Sequence, residues 1–288
     1  MSDVQSPAEV VESHPDDEIL RGERIPHIWC PGCGLGTSIK AFAEAVRSSP
    51  VDMDDHVVVS GIGCTGRSAG YINVDSYHTT HGRAIPFATG IKVANPDLSV
   101  AVVSGDGDLF NIGGNHFMHA ARRNLDLTVV CVNNFTYGMT GGQFGGTTPT
   151  NANSATSPDG NYERPFNLPS LAGSLDVPFV ARWSTLHPRR LAEAIEQAMA
   201  TPGLGFVEVI SPCPEGFGKR NDFPEGLDMM HYFQEHAVID HDAPLEDVGI
   251  QLDGEPLVLG TFIDEDEESE SYLETKAQLL GRDGGADE

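Results

Sequence analysis

Lysine is scarce in this chain of 288 residues, and basic residues form no cluster. The 17 basic residues are outnumbered by 43 aspartates and glutamates, which gives a formal net charge of −26 at pH 7. The lysines stand at four isolated positions, Lys40, Lys92, Lys219 and Lys276. Because no basic patch is available to follow a phosphate backbone, the sequence argues against direct nucleic-acid binding. An acidic surface with little lysine stays soluble when salt screens its self-repulsion, so the composition predicts a halophile protein; a basic protein partner is the alternative explanation.

Long apolar runs are also missing. No run approaches the roughly 18 to 20 apolar residues that span a membrane. Residues 1–17 are polar and acidic, unlike a signal peptide. We therefore expect a soluble, cytoplasmic protein without membrane contact. In that compartment, the Cys-x-x-Cys pair formed by Cys30 and Cys33 favours metal binding or redox chemistry over a structural disulfide.

Buried strands alternate with amphipathic helices through most of the chain. Apolar runs predict strands at 56–60, 99–104, 126–133, 177–182 and 205–210. Apolar residues at helical spacing predict helices at 36–47, 83–94, 114–123 and 188–200. This alternation predicts an α/β fold with a doubly wound parallel sheet, in which ligands collect beyond the carboxyl ends of the strands.

Three parts are expected along the chain. Residues 1–20 are predicted to be disordered, 21–215 to form the cofactor-binding domain, and 216–288 to form an extension with a partner contact and an acidic tail. Within the domain, residues 136–164 form a long irregular stretch rich in Gly, Thr, Asn and Ser. Such a stretch is functional or disordered; we expect its glycine-rich part, 141–160, either to cover the site or to bind the partner.

Four of the five cysteines stand in segments rich in glycine and proline. Cys30, Cys33, Cys64 and Cys213 are far apart in sequence, but the turns around them can aim their thiolates at one point. Four converging thiolates would hold an iron–sulfur cluster or a structural zinc ion. Cys131 lies inside a predicted strand, so we interpret it as a buried structural thiol.

A second motif follows two neighbouring predicted strands. Gly105-Asp106-Gly107 comes directly after one, and Asn133-Asn134 ends the next. The glycines allow close approach of a phosphate, and Asp106 supplies the hard anionic oxygen that magnesium prefers. The amide oxygen of Asn134 and the backbone carbonyl of Thr136 can reach the same ion. The spacing therefore predicts a clamp for magnesium and a diphosphate.

The Gly-Asp-Gly and Asn-Asn pattern resembles the thiamine diphosphate-binding motif. The stretches PHIWCPGCG at 26–34, HGRA at 81–84 and YGMTGGQ at 137–143 resemble the β subunit of 2-oxoacid:ferredoxin oxidoreductases. The resemblance covers roughly residues 22 to 235. It implies a thiamine diphosphate-binding fold, magnesium held by Asp106, Asn134 and Thr136, and one [4Fe–4S] cluster held by the four cysteines. The cofactor contacts that it implies are Ile62, Gly63, Cys64, Thr65, Thr79, Thr80, His81, Gly82, Gly107, Asp108, Gly138 and Met139.

The family resemblance also implies a reaction. It is the oxidative decarboxylation of a 2-oxoacid with coenzyme A, in which electrons leave through the cluster to ferredoxin. Arg67 is a candidate to meet the carboxylate of the substrate. The sequence has no motif for the carboxylate that activates the aminopyrimidine, and in the family it comes from the α subunit, so we expect an αβ or (αβ)2 assembly. The 26–34 stretch favours 2-oxoglutarate, with pyruvate next.

Two other classes remain open at this point. A thiamine decarboxylase or synthase subunit without a cluster would bind the diphosphate cofactor but would not use the four cysteines as ligands. A zinc-stabilised, non-catalytic module would use the cysteines and bind no thiamine diphosphate. The metal content and the cofactor content of the purified protein discriminate among these hypotheses.

Overall fold

The computed structural model describes residues 16–265 and 269–281, and these contain one sheet of eight strands in the order β2-β1-β3-β4-β6-β5-β8-β7. The strands are β1 (His56–Ser60), β2 (Asp75–His78), β3 (Ser99–Gly105), β4 (Leu127–Asn133), β5 (Phe179–Ser184), β6 (Leu204–Ile210), β7 (Ala237–Ile239) and β8 (Leu257–Asp264). The helices are α1 (Leu35–Ser48), α2 (Ala84–Ala94), α3 (Gly114–Arg122), α4 (Leu168–Gly173), α5 (Pro188–Ala200), α6 (Asp228–His236) and α7 (Tyr272–Leu279).

Helices cover both faces of the sheet. The apolar sides of α1 and α5 pack with one face, and those of α2, α3 and α4 pack with the other. The central strands are buried along their whole length, as a sheet with two covered faces requires. The predicted doubly wound α/β architecture is therefore confirmed.

One edge of the sheet differs from the purely parallel prediction. The strands from β2 to β5 pair in parallel, but β8 pairs antiparallel with β5, and β7 then adds in parallel to β8. The sheet is therefore mixed. The part of the chain after residue 215, where apolar periodicity is weak, supplies these two strands and so extends the sheet of the cofactor-binding domain.

The chain ends correspond only partly to the expected tails. Residues 1–15, 266–268 and 282–288 lie outside the described residues. Within the segment predicted to be disordered, Ile19 is buried and Leu20 forms a β-bridge with Ile72. Near the other end, Ser271 caps α7 through a capping box with Glu274. Ordered structure thus includes residues assigned to tails by sequence, and the three-part division remains a prediction.

The sheet order places four loops side by side. β1, β3, β4 and β6 are consecutive neighbours and parallel, so the loops that follow them emerge at one edge. Cys64, Asp106, Asn134 and Cys213 lie in those four loops. Among the described helices, none is both long enough and apolar enough to cross a membrane.

Candidate active site

A cleft opens at the carboxyl edge of these strands. Most residues that line the cleft were predicted as site residues: Ile62 to Thr65, His81, Asp106 to Asp108, Asn134, Thr136, Gly138 and Met139. The remaining lining residues are Gly105, Tyr137 and Thr140. Thr79, Thr80, Gly82 and Arg67 were also predicted as site residues but are not among the residues that line the cleft. Thr79 joins the ends of β1 and β2, since its backbone N–H and its hydroxyl both donate to the Ser60 carbonyl, at 2.8 and 3.1 Å.

Asp106 forms the acidic centre of the cleft. Its side chain is 3 % exposed, and burial raises its pKa to about 6, although hydrogen bonds from Thr147 and from the backbone of Asn134 and neighbouring residues lower it. The Oδ1 atom of Asn134 is buried and has no hydrogen-bond partner among the described atoms. A buried carboxylate and an unsatisfied amide oxygen are what a bound hard cation would neutralise and satisfy. The residues present therefore fit magnesium.

The turn after β4 holds Asn134 in a fixed conformation. Phe135 has φ +66°, a left-handed conformation that is uncommon for residues other than glycine. Its N–H donates to Asn133 Oδ1 at 3.1 Å, its carbonyl accepts from Thr148 Oγ1 at 2.6 Å, and its ring is fully buried. Since the strained residue is held at every polar atom and at its ring, the flanking Asn134 and Thr136 have little freedom.

Asp108 joins the loops, although it was predicted as a cofactor contact. Its Oδ1 accepts from the backbone N–H of Ile62 at 3.1 Å and of Gly82 at 2.8 Å, and it also pairs with His81 Nδ1. Its Oδ2 accepts from Ser104 Oγ at 2.8 Å. The carboxylate thus holds the loops after β1 and β2 against β3, and the contact of Asp108 with the cofactor stays a prediction.

Two glycines allow close packing around the cleft. A Cβ on Gly61 would lie 1.8 Å from Asp108 Oδ2, and one on Gly107 would lie 2.4 Å from the ring of Tyr137. Real Cβ atoms do not approach other atoms so closely. The loop after β1 can therefore reach Asp108 only because residue 61 is glycine, and Tyr137 can cover the start of the next helical turn only because residue 107 is glycine.

The loops that carry the four predicted cluster cysteines meet at the same edge. Trp29 links two of their loops, because its Nε1 donates to the Cys64 carbonyl at 2.8 Å. The pKa of Cys33 is raised to about 11 and that of Cys213 to about 12, mainly by burial and in smaller part by the neighbouring cysteines. Since Cys33 is influenced by Cys30 and Cys64, and Cys213 by Cys33 and Cys64, all four belong to one electrostatic group.

Cys213 also connects the two predicted cofactor sites. A Cβ on Gly138 would lie 3.1 Å from Cys213 Sγ, and one on Gly216 would lie 3.0 Å from the same sulfur. The thiol therefore packs against the loop that carries Gly138 and Met139. The sequence placed Cys64 in both sites, and the structure adds a second connection.

The chemistry of this donor set fits a thiolate-bound cluster, but the thiols are not drawn together around one ion. Among the described residues, no group of three or more His, Cys, Asp or Glu side chains is placed to hold a metal ion. The cluster and the zinc alternative both stay predictions. Cys131 is fully buried in β4, and burial raises its pKa well above the usual value, in agreement with a structural role.

The irregular stretch 136–164 is ordered against the site. Thr147 donates its hydroxyl to the carboxylate of Asp106, and Thr136 Oγ1 donates to the Gln143 carbonyl at 2.9 Å. Asn161 Nδ2 donates to the carbonyl of Thr148 at 2.8 Å and to that of Glu163 at 3.0 Å. Sequence reasoning missed Thr147, because a threonine in a loop of this composition carries no signal of its own.

Comparisons with known proteins agree with this geometry. Residues 61–209 match the thiamine pyrophosphate enzyme, C-terminal TPP binding domain. The 2-oxoglutarate synthase subunit KorB of Methanothermobacter thermautotrophicus is 48% identical over 219 residues, which are 76% of this chain and 77% of that protein. The 2-oxoacid:ferredoxin oxidoreductase subunit beta of Saccharolobus solfataricus is 42% identical over 188 residues, 65% of this chain and 62% of that protein. The chain belongs to the β-subunit family of 2-oxoacid:ferredoxin oxidoreductases.

A solved structure supports the same family across nearly the whole chain. The 2-oxoglutarate:ferredoxin oxidoreductase from Magnetococcus marinus, with 2-oxoglutarate, coenzyme A and succinyl-CoA bound, superposes with a TM-score of 0.80 at 30% identity. The match covers 96% of this chain and 94% of that chain. The family expected from the motifs and the thiamine diphosphate-binding fold are therefore confirmed.

Proposed function

We propose that this chain is the β subunit of a 2-oxoglutarate:ferredoxin oxidoreductase. The reaction converts 2-oxoglutarate and coenzyme A into succinyl-CoA and CO2, and passes two electrons to ferredoxin. One observation carries the proposal: Asp106 and Asn134 share one edge of one sheet with the thiols of Cys64 and Cys213. The names of the relatives and the ligands of the solved neighbour favour 2-oxoglutarate over pyruvate.

The diphosphate end of the cleft would be held through magnesium. Asp106, the Oδ1 atom of Asn134 and the backbone carbonyl of Thr136 would supply the protein ligands. Oxygen ligands of this kind suit Mg²⁺, which keeps the rest of its coordination for phosphate and water. Gly107 and Gly138 also line the cleft, and the ring of Tyr137 and Cys213 Sγ pack where their side chains would be.

Thiamine diphosphate, when bound, supplies the electron sink that makes loss of CO2 from a 2-oxoacid feasible. The chain contributes orientation and the exclusion of water. Ile62 and Met139 line the cleft with apolar surface, while Asp108 fixes the loop that carries Ile62. Arg67 is exposed, and its guanidinium makes no hydrogen bond or ion pair to a described residue, which leaves the guanidinium available for the carboxylate of the substrate.

Cys30, Cys33, Cys64 and Cys213 would ligate the [4Fe–4S] cluster that takes up the electrons. A cationic iron core would stabilise the thiolate forms that burial and mutual repulsion now disfavour. Because Cys64 and Cys213 both adjoin the cleft, the cluster would lie next to the cofactor. Electrons would then have a short path through this chain toward ferredoxin.

An α subunit is needed to complete the site. The two carboxylates in the cleft are already committed, Asp106 to the proposed metal and Asp108 to the loops, so neither is available for the aminopyrimidine. Apolar side chains also stay exposed at the cleft, with Ile62 41 % and Met139 48 % accessible. Exposed apolar surface at a site of this kind indicates a partner that covers it.

The test is activity of the purified α–β complex under anaerobic conditions. Iron, sulfide and thiamine diphosphate are quantified first, and then reduction of ferredoxin or viologen is compared with 2-oxoglutarate and with pyruvate, in the presence and absence of coenzyme A. We expect reduction that needs coenzyme A and is faster with 2-oxoglutarate. A fully loaded complex that oxidises no 2-oxoacid would refute the proposal.

The same measurement separates the alternatives. Thiamine diphosphate without iron would indicate a decarboxylase or synthase subunit that has no cluster. Zinc without iron and without the cofactor would indicate a non-catalytic module. A loaded complex that prefers pyruvate would keep the family and change the substrate.

A further inference from the structure

A buried ion pair lies beside the proposed magnesium clamp, and no sequence motif pointed to it. Arg182 on β5 donates from Nε to Glu208 Oε2 on β6 at 2.7 Å. The two side chains are 1 % and 0 % exposed. Burying such a pair costs more desolvation than its attraction returns in many proteins, and apolar replacements are often neutral or stabilising. The pair therefore calls for an explanation other than stability.

The pair extends directly to the turn that carries the clamp. The other oxygen of Glu208, Oε1, accepts from Asn133 Nδ2 at 2.7 Å, and Asn133 Oδ1 accepts from the Phe135 N–H at 3.1 Å. Both ends of the Asn133 amide are thus used, which fixes its orientation. Its hydrogen bond supports Phe135 in the left-handed conformation between Asn134 and Thr136.

The same pair reaches the C-terminal part of the chain. Arg182 Nη1 donates to the carbonyl of Val248, and to that of Val258 on β8 at 3.4 Å. The segment that adds the antiparallel edge of the sheet is therefore connected to the clamp through one continuous set of hydrogen bonds. We call Arg182, Glu208 and Asn133 the buried relay.

We propose that the buried relay is a positioning device for the magnesium clamp: it holds the turn in which Asn134 and the Thr136 carbonyl point at the metal. The proposal rests on the proposed function for the identity of the site. None of the three relay residues needs to contact the metal, and the relay acts by orienting the groups that do. Outer residues of this kind typically change metal affinity about 10- to 100-fold.

Two double variants separate positioning from stability. R182M/E208L replaces the pair with apolar side chains of similar size and leaves Asn133 Nδ2 without its acceptor. R182M/E208Q also removes both charges, but its Gln side chain keeps an oxygen for Asn133. We expect R182M/E208L to weaken magnesium binding about 10- to 100-fold, and R182M/E208Q to restore most of the affinity. The W183F variant changes a large buried side chain on the same strand and should bind as the wild type does.

The measurement is a calorimetric titration of the cofactor-stripped α–β complex with Mg²⁺ at saturating thiamine diphosphate. Thermal unfolding is recorded for every variant to check that it folds. Wild-type affinity in a folded R182M/E208L complex would overturn the proposal, as would equal weakening in both double variants. If R182M/E208L fails to assemble, N133L is measured instead, because it removes the hydrogen bond between Asn133 and the Phe135 N–H and leaves the ion pair in place. Wild-type magnesium affinity in N133L would also overturn the proposal.

The binding readout does not depend on turnover. A complex that binds magnesium and thiamine diphosphate but oxidises no 2-oxoglutarate would refute the proposed function and leave the relay to be judged by the titration. A complex with full turnover and unchanged affinity in the variants would refute the relay and leave the proposed function intact.

Discussion

Replacing Asp106 with Asn should stabilise the cofactor-free protein and abolish its response to magnesium. Burial raises the pKa of Asp106 from 3.8 to about 6, so keeping this group ionised in the folded chain costs up to about 3 kcal/mol at 1.36 kcal/mol per pKa unit. Asn has nearly the same shape and carries no charge. At pH 8 the free energy of unfolding of D106N should therefore exceed that of the wild type by up to that amount.

The sign of the pH dependence follows from the raised pKa. Below pH 3.8 Asp106 is protonated in both the folded and the unfolded chain, so its ionisation costs nothing. Between pH 3.8 and about 6 the folded chain binds more protons than the unfolded chain, and stability falls as pH rises. The advantage of D106N should therefore grow across this window and stay constant above it.

Magnesium should reverse the order of stability. At free ligand about 1,000-fold above its dissociation constant, binding adds roughly 4.1 kcal/mol to the wild type, which exceeds the advantage of D106N, whereas D106N lacks the charged ligand and should gain little. The assay is denaturant unfolding of the stripped α–β complex from about pH 4 to pH 8 at fixed ionic strength, with and without magnesium thiamine diphosphate. D159N, at an exposed position, controls for the loss of one charge from a chain with net charge −26.

Two results would refute the reasoning about Asp106. One is a D106N complex that is less stable than the wild type at pH 8 without the cofactor, since the carboxylate would then be stabilised by contacts that outweigh its burial. The other is a D106N complex that is stabilised by magnesium thiamine diphosphate as strongly as the wild type, since Asp106 would then not bind the metal.

Three further changes test other parts of the site. G61A would place a Cβ 1.8 Å from Asp108 Oδ2, so it should lower the free energy of unfolding by roughly 1–3 kcal/mol and weaken thiamine diphosphate binding. The control is G90A, because a Cβ at that position in α2 meets open space, and it should be neutral or stabilising by about 0.5–1 kcal/mol. Equal effects of the two changes would contradict the role of Asp108 in holding the loops. C213S should lower iron and sulfide per complex while C131S leaves both unchanged, and unchanged iron in C213S would contradict the ligand set. T147V removes a hydrogen bond to the Asp106 carboxylate, so magnesium binding at pH 7 should weaken about tenfold and T147S should restore it; wild-type binding in T147V would show that the loop does not tune the metal site.

Sequence periodicity predicted the centre of the fold because the central strands are buried on both faces. The runs at 56–60 and 205–210 are mostly apolar, and their polar residues His56, Ser60 and Glu208 are buried. The structure has strands within one residue of the predicted bounds. The edge elements have no such signal. β2 is polar and largely exposed, and β8 becomes recognisable only through its pairing with β5.

The candidate site was predictable where local motifs carry the chemistry. Asp106, Asn134, Cys64 and Cys213 follow strands that end at one edge, so their proximity follows from the fold class. The supporting contacts join residues far apart in the chain, such as Thr147 with Asp106 and Arg182 with Glu208. No single-sequence pattern identifies such pairs, and the role of Asp108 in holding the loops became evident only from its four hydrogen-bonding partners.

The most direct test of the central claim is whether substrate reduces a cluster in this chain through the cofactor site. The oxidised α–β complex is mixed anaerobically with 2-oxoglutarate, frozen, and examined by electron paramagnetic resonance, with dithionite as the reference for full reduction. We expect 2-oxoglutarate to reduce the cluster in the wild type but not in D106N, while dithionite reduces it in both. Equal reduction by 2-oxoglutarate in the two proteins would contradict the claim that the cofactor site at Asp106 delivers electrons to the cluster.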